Sequence, residues 1–208
     1  MNPRWLLGIA ALWLALWIPP LRRALETDMA LHMAVQLPLL IGIGVGIAAF
    51  VREREPRWFA DADWLGIPGI VAVVLGTSFW MLPRALDQAV ADPPVDLVKF
   101  LTLPLLVGLP LGLSWRRMPP LGRAFIWANF IPKLGAIGGL YLAAPVRLCA
   151  YYRLDQQATA GWVLIGIAVA LGLAWFIAAF VGRPVRPHRD PELPRAAIGN
   201  IAIERPFN

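Results

Sequence analysis

Met29, His32 and Met33 stand at positions i, i+3 and i+4, the spacing that sets side chains along one helical face. Two thioethers and an imidazole make a donor set for a soft cation, and Cu(I) is the ion such ligands favour. A further thioether, Met81, ends a later apolar segment, where it reaches a similar depth. Asp28 could tune such a site or fix the imidazole, as carboxylates behind metal ligands do. The same residues have a plainer reading. Met fills gaps in cores, and Asp28 caps the start of a helix that is simply packed. Spacing leaves both readings open, so Met29, His32, Met33 and Met81 are candidate metal ligands.

The elements that must position them are apolar helices. Of 208 residues, 59% are hydrophobic and 15% charged, where soluble domains carry about 25% charged residues. A membrane helix needs about 20 apolar residues. Barrel strands would alternate apolar and polar, and segments such as "GWVLIGIAVALGLAWFIAAFVG" do not. The expected fold class is all-α: a polytopic integral membrane protein with about six transmembrane helices in one bundle. They fall near 5–20, 29–51, 64–83, 97–115, 124–145 and 160–182, separated by Pro-rich and charged connections such as "REREPRW" and "LPRALDQAVADPPVD". The first segment ends in "IPPLRR" with no small-residue cleavage site, so it reads as a retained helix. Residues 1–182 form the bundle. Residues 183–208 form a Pro-rich tail that is expected to be extended, with a short apolar run able to dock on a protein surface.

Charge sets the orientation. Of nineteen Lys and Arg, twelve fall at the N-terminus, the second and fourth connections and the tail. Five, Arg22, Arg23, Arg84, Arg147 and Arg153, fall on the opposite side, and Lys99 and Lys133 lie within spans. The positive-inside rule then puts both termini in the cytoplasm and the Met29–Met33 face outside. The net charge of +6 reads as membrane orientation, not as a nucleic-acid surface. Trp58, Trp64, Trp80 and Trp115 at span ends suit an interfacial belt.

Other chemistry finds little support. Cys149 is the one cysteine, so no intramolecular disulfide and no CxxC site is possible. It could ligate copper, or be a small apolar residue. The two histidines, His32 and His188, fall on opposite sides, and GxSxG, HExxH and phosphate-loop patterns are absent from the sequence, so no catalytic activity is expected. Lys133, one turn after Asn129, sits mid-span. It reads as a contact with a partner helix or polar cavity, or more simply as snorkelling or an internal hydrogen bond. Lys99 reads as snorkelling beside Asp96 near a helix end, and Asp155 as the cap of the last helix.

Three stretches together resemble the CtaG family of cytochrome c oxidase assembly proteins. They are "LHMAVQLPLLIGIG", "FWMLPRALDQAV" and "LDQQATAGWVLIG", and "FIWANFIPKLGAIGGLYLAAP" is similar to that family's fifth-segment region. The likeness covers roughly residues 27–175 in order. His32-Met33-Ala34-Val35-Gln36 stands where the family carries His-Met-x-x-His. Trp80-Met81-Leu82-Pro83 stands at its Trp-His-x-Pro, and Asp155-Gln156-Gln157 with Ala160-Gly161 at its Asp-Gln-x-x-Ala-Gly. Met81 for His keeps a Cu(I) donor, whereas Gln36 for His does not keep a good one. The resemblance implies copper delivery or insertion during oxidase maturation, in a bacterial inner membrane, with oxidase subunits or another membrane complex as partners. The alternatives are a non-catalytic accessory subunit of a respiratory or copper-containing complex with no metal of its own, and a small transporter.

Overall fold

The computed structural model describes residues 3–52, 61 and 63–180; the proposed tail, 183–208, lies outside them. Those residues form helices and connections, with no strand among them. Two helices open the chain, α1 (Pro3–Trp17) and α2 (Pro19–Glu26). Next come α3 (Met29–Val51), a single turn at Trp64–Gly66, α4 (Ile67–Trp80) and α5 (Pro83–Ala91). The last three are α6 (Pro93–Ser114), α7 (Pro120–Ala143) and α8 (Leu154–Phe180).

Proline writes most of the boundaries. It lacks an N–H and so fits the first turn of a helix, where that donor has no partner anyway. Pro19, Pro83, Pro93 and Pro120 each open a helix in this way. Asp28 starts α3 by accepting from the Leu31 N–H at 2.9 Å, the capping role open to it in the sequence.

Among the described residues, four helices are long and apolar enough to cross a membrane: α3, α6, α7 and α8. Trp5–Trp17 with Pro19–Glu26, and Trp64–Trp80 with Pro83–Ala91, pass the same test only as pairs bent by 71° and 70°, giving up to six spans. The chain is thus consistent with a multi-pass membrane protein. Two stretches that the sequence reading treats as connections, "PPLRR" and "PRALDQAVA", are helices α2 and α5. Their charge and proline density look like loop, but the prolines sit where a helix start tolerates them. The fourth span also begins earlier than 97, at Pro93, and the last begins at Leu154.

Within α3 and α6 the backbone widens into one π-helical turn each, His32–Gln36 and Leu103–Gly108. Each is followed at once by Leu-Pro: Leu37-Pro38 and Leu109-Pro110. The Leu N–H reaches five residues back, to the carbonyl of His32 or of Pro104. A proline ring inside a helix clashes with the carbonyl four residues before it, and a wider turn relieves that clash. The two helices cross closely. A Cβ on Gly44 would lie 2.0 Å from the Pro104 carbonyl oxygen, and one on Gly108 2.2 Å from that of Ile41. Glycine is needed at both places for the backbones to meet.

Candidate functional site

At the end of the bundle where α2, α3, α6 and α8 meet, seven polar side chains gather: Arg22, Glu26, His32, Gln36, Asp96, Lys99 and Tyr152. His32, Gln36 and Lys99 are 0% exposed and Asp96 1%. The hub is the Lys99 ammonium. Its Nζ lies 2.9 Å from Glu26 Oε1, 2.8 Å from Asp96 Oδ1, 3.0 Å from His32 Nε2 and 3.2 Å from Gln36 Oε1. An ammonium has three hydrogens, so four acceptors surround it and one hydrogen is shared.

Local geometry explains each placement. His32 and Gln36 lie four residues apart on α3 and face Lys99 together. Asp96 and Lys99 are an i, i+3 pair on α6. Arg22 pairs with Glu26 one turn along α2, Nε to Oε2 at 3.3 Å, and with Asp96 across to α6. Gln36 Nε2 donates to Glu26 Oε1 at 3.1 Å. Both oxygens of the Glu26 carboxylate are therefore engaged. The Trp17 and Phe100 rings, 4.8 Å apart, pack beside the cluster, with Lys99 Nζ 5.3 Å from the Phe100 ring centre.

The tautomer of His32 follows from its neighbours. An ammonium has no lone pair, so Nε2 accepts from Lys99. In the neutral ring Nδ1 then carries the hydrogen and donates to the Tyr152 hydroxyl oxygen at 2.7 Å. Burial, reinforced by the Glu26 carboxylate, raises the Tyr152 hydroxyl pKa well above its ordinary value. The phenol stays neutral as a result.

The three motif stretches converge on this end. Asp87 of α5 accepts from the Ala150 and Tyr151 N–H groups, the second at 3.2 Å. Gln157 accepts from the Leu148 N–H at 2.8 Å and donates to the Tyr141 carbonyl at 3.1 Å. Gln156 donates to the Thr27 carbonyl at 2.9 Å and accepts from the Arg153 N–H at 3.2 Å. That second bond is the N-terminal signature of α8. Gln156 rather than Asp155 thus satisfies the entry of this helix, and Asp155 pairs with Arg153 at 3.0 Å. Cys149 is buried, with its thiol directed at the Pro83 carbonyl, 3.7 Å away. Burial first, and the Asp87 charge second, push that thiol up to about 12.

Of the four candidate ligands, all are buried. Met33 and Met81 line one apolar cavity of about 270 Å³, with Trp80, Leu134 and Leu164. Met29 is packed in the core and His32 turns to Lys99 and Tyr152. A metal on His32 needs a free nitrogen lone pair, yet Nε2 already faces a cation and Nδ1 a hydroxyl. In this arrangement His32 does not fit Cu(I). Among the described residues no group of three or more His, Cys, Asp or Glu is placed to hold a metal ion.

The hub is not evident from the sequence. Lys99 does not snorkel to solvent: it stands in the second turn of a helix that starts at Pro93, and α2 closes over it. Asp96-x-x-Lys99 in an apolar segment was the available signal. Lys133, left open between a helix or cavity contact, snorkelling and an internal hydrogen bond, donates to Ser78 Oγ at 2.8 Å and Thr77 Oγ1 at 3.2 Å on α4.

Over the described residues, the fold and site are those of an all-helical bundle with four to six candidate membrane spans and a charged cluster buried at one end. Comparison with family models, curated proteins and solved structures finds no match.

Proposed function

We propose that this chain is a non-catalytic, multi-pass protein of a bacterial inner membrane that assists maturation of a cytochrome c oxidase, with both termini in the cytoplasm. The observation that carries the reading is the convergence of the three motif stretches. His32, Met33 and Gln36, then Trp80, Met81 and Asp87, then Gln156 and Gln157 meet at one end of the bundle, from segments far apart in sequence. By the positive-inside argument that end is non-cytoplasmic.

Copper enters this reading as cargo. Met33 and Met81 offer thioethers to a common cavity, and these suit Cu(I). The engaged nitrogens of His32 favour the second reading, an accessory protein of the same complex with no metal of its own.

The test is copurification with the native oxidase and disruption of the gene. An assembly factor is substoichiometric, is absent from mature oxidase, and its loss lowers the copper content of the enzyme. An accessory subunit stays at fixed ratio. Normal oxidase copper and activity in the disruptant, with no association, would remove both readings. Titration of the purified chain with Cu(I), beside a Met33→Ala/Met81→Ala variant, separates a cargo site from none.

A further inference from the structure

A second cavity, of about 480 Å³, lies beside the charged cluster, lined by Pro19, Arg22, Arg23, Glu26, Tyr151 and Tyr152 among others. We infer that it binds a phosphate group, presented by the headgroup of an anionic phospholipid. The cavity differs in kind from that of Met33 and Met81, which is walled almost wholly by carbon.

Charge counting gives the ligand its sign. The charged side chains that line this cavity, or that those side chains bond, are Arg22, Arg23, Lys99, Glu26 and Asp96. Three cations face two carboxylates, an excess of one positive charge. The excess is located. Lys99 and Arg22 each pair with both carboxylates. Arg23 is exposed at the cavity wall, and its side chain has no hydrogen-bond or ion-pair partner among the described residues. A guanidinium with all five donors free suits a phosphate, which it can hold through two parallel bonds. Arg22 cannot swing away to quench a ligand's charge, because Glu26 and Asp96 hold it in place.

Position gives the ligand its source. Helices α2 and α5, which contribute Arg23 and Val90 to this wall, are bent by 71° and 70° from the helices before them. In the membrane reading, on which this inference rests, such helices lie across the bundle end at headgroup depth. Val90 and Pro19 then offer carbon surface to the glycerol portion, while Arg23 supplies the charge for the phosphate, with Tyr151 also lining the cavity. A choline headgroup brings its own cation and is disfavoured by Arg23.

Native mass spectrometry on the delipidated full-length chain in an uncharged detergent tests this without reference to any oxidase. The probes are phosphatidylglycerol, phosphatidylcholine and inorganic phosphate. One phosphatidylglycerol is expected to bind in preference to phosphatidylcholine. Arg23→Gln should weaken it roughly tenfold, the effect of losing one charge-assisted contact, and Arg147→Gln, in the neighbouring loop, should not. The Arg23 side chain makes no bond within the described fold, and Arg23→Gln keeps the backbone bond from the Thr27 N–H, so the replacement leaves the fold standing. Inorganic phosphate that binds equally well and displaces the lipid would assign the site to free phosphate instead. Equal binding of the two lipids, or an Arg23→Gln variant that binds as the wild type does, overturns the inference.

Discussion

Lys99 and His32 meet through Nζ and Nε2 at 3.0 Å, with both side chains sealed from solvent. The contact fixes the direction of the imidazole and, through it, the bond to Tyr152. An ammonium so placed stands where an arriving cation would have to stand, which is why the stretch from Met29 to Met33 reads differently in the fold than in the sequence.

Replacing Lys99 with Met should be severe. It leaves Glu26 and Asp96 buried with Arg22 as their one remaining cation. Removing one partner of a buried ionic set costs about 3–5 kcal/mol, whereas replacing the whole set with neutral groups of similar size costs far less. Unfolding in micelles should show the single variant strongly destabilised. Lys99→Met combined with Glu26→Gln and Asp96→Asn should recover most of the loss. A single-variant loss below about 1 kcal/mol would mean that protons or water relieve the carboxylates.

Tyr152→Phe tests the other side of the imidazole. The change leaves Nδ1–H of His32 buried without an acceptor, at a cost of about 1–3 kcal/mol. Tyr151→Phe, at an exposed position, is the matched control. Equal stability of the two variants would remove the hydroxyl from the network.

The crossing of α3 and α6 gives a paired test. Gly44→Ala places a methyl 2.0 Å from a carbonyl oxygen that belongs to backbone and cannot turn aside. Overpacking of that kind costs at least about 1–3 kcal/mol. Gly42→Ala meets nothing within 4 Å, and alanine is the better helix former by up to about 1 kcal/mol. The two variants should shift thermal unfolding in opposite directions, and a shared direction would contradict the crossing.

Cys149 sets an alkaline limit. Its thiol is raised to about 12 in the fold, against about 8.5 in an unfolded chain. The fold therefore favours the neutral thiol. That contribution is complete below about pH 8.5 and is lost as pH rises toward 12. Iodoacetamide at about pH 8.5 should label the native chain far more slowly than the denatured one. Stability should fall through the alkaline window, and less steeply in Cys149→Ala. Native labelling at the denatured rate would place the thiol outside the core.

What the sequence disclosed depended on the range of each interaction. The Asp28 cap spans three residues and could be read directly. Lys133 was legible only as a set of alternatives, because an ammonium inside an apolar helix can reach a neighbouring helix, the membrane surface or an internal acceptor, and only the fold selects the hydroxyls of Thr77 and Ser78. The adjacency of Asp96 and Lys99 was visible, but their depth was not. Depth depends on α2 folding back over the helix end, and α2 carries two prolines and two arginines that resemble a loop. Glu26 with Lys99 and His32 with Tyr152 join positions 73 and 120 residues apart. No periodicity records such a pairing. Gln36, read as a lost metal ligand, accepts from Lys99 and donates to Glu26, a role that neither its type nor its spacing announces.

The 120-residue reach between His32 and Tyr152 also orders events during synthesis. Glu26, His32, Gln36, Asp96 and Lys99 all leave the ribosome before residue 100, so the ionic hub can close as soon as α6 is threaded beside α2 and α3. The imidazole then waits with Nδ1 unanswered while α7 is made and laid down. Only when the loop before α8 emerges does a hydroxyl arrive to complete it. A nascent chain paused after α6 is in place and before Tyr152 is made therefore carries an assembled ionic knot with one donor unanswered, and the loop before α8 works as its seal.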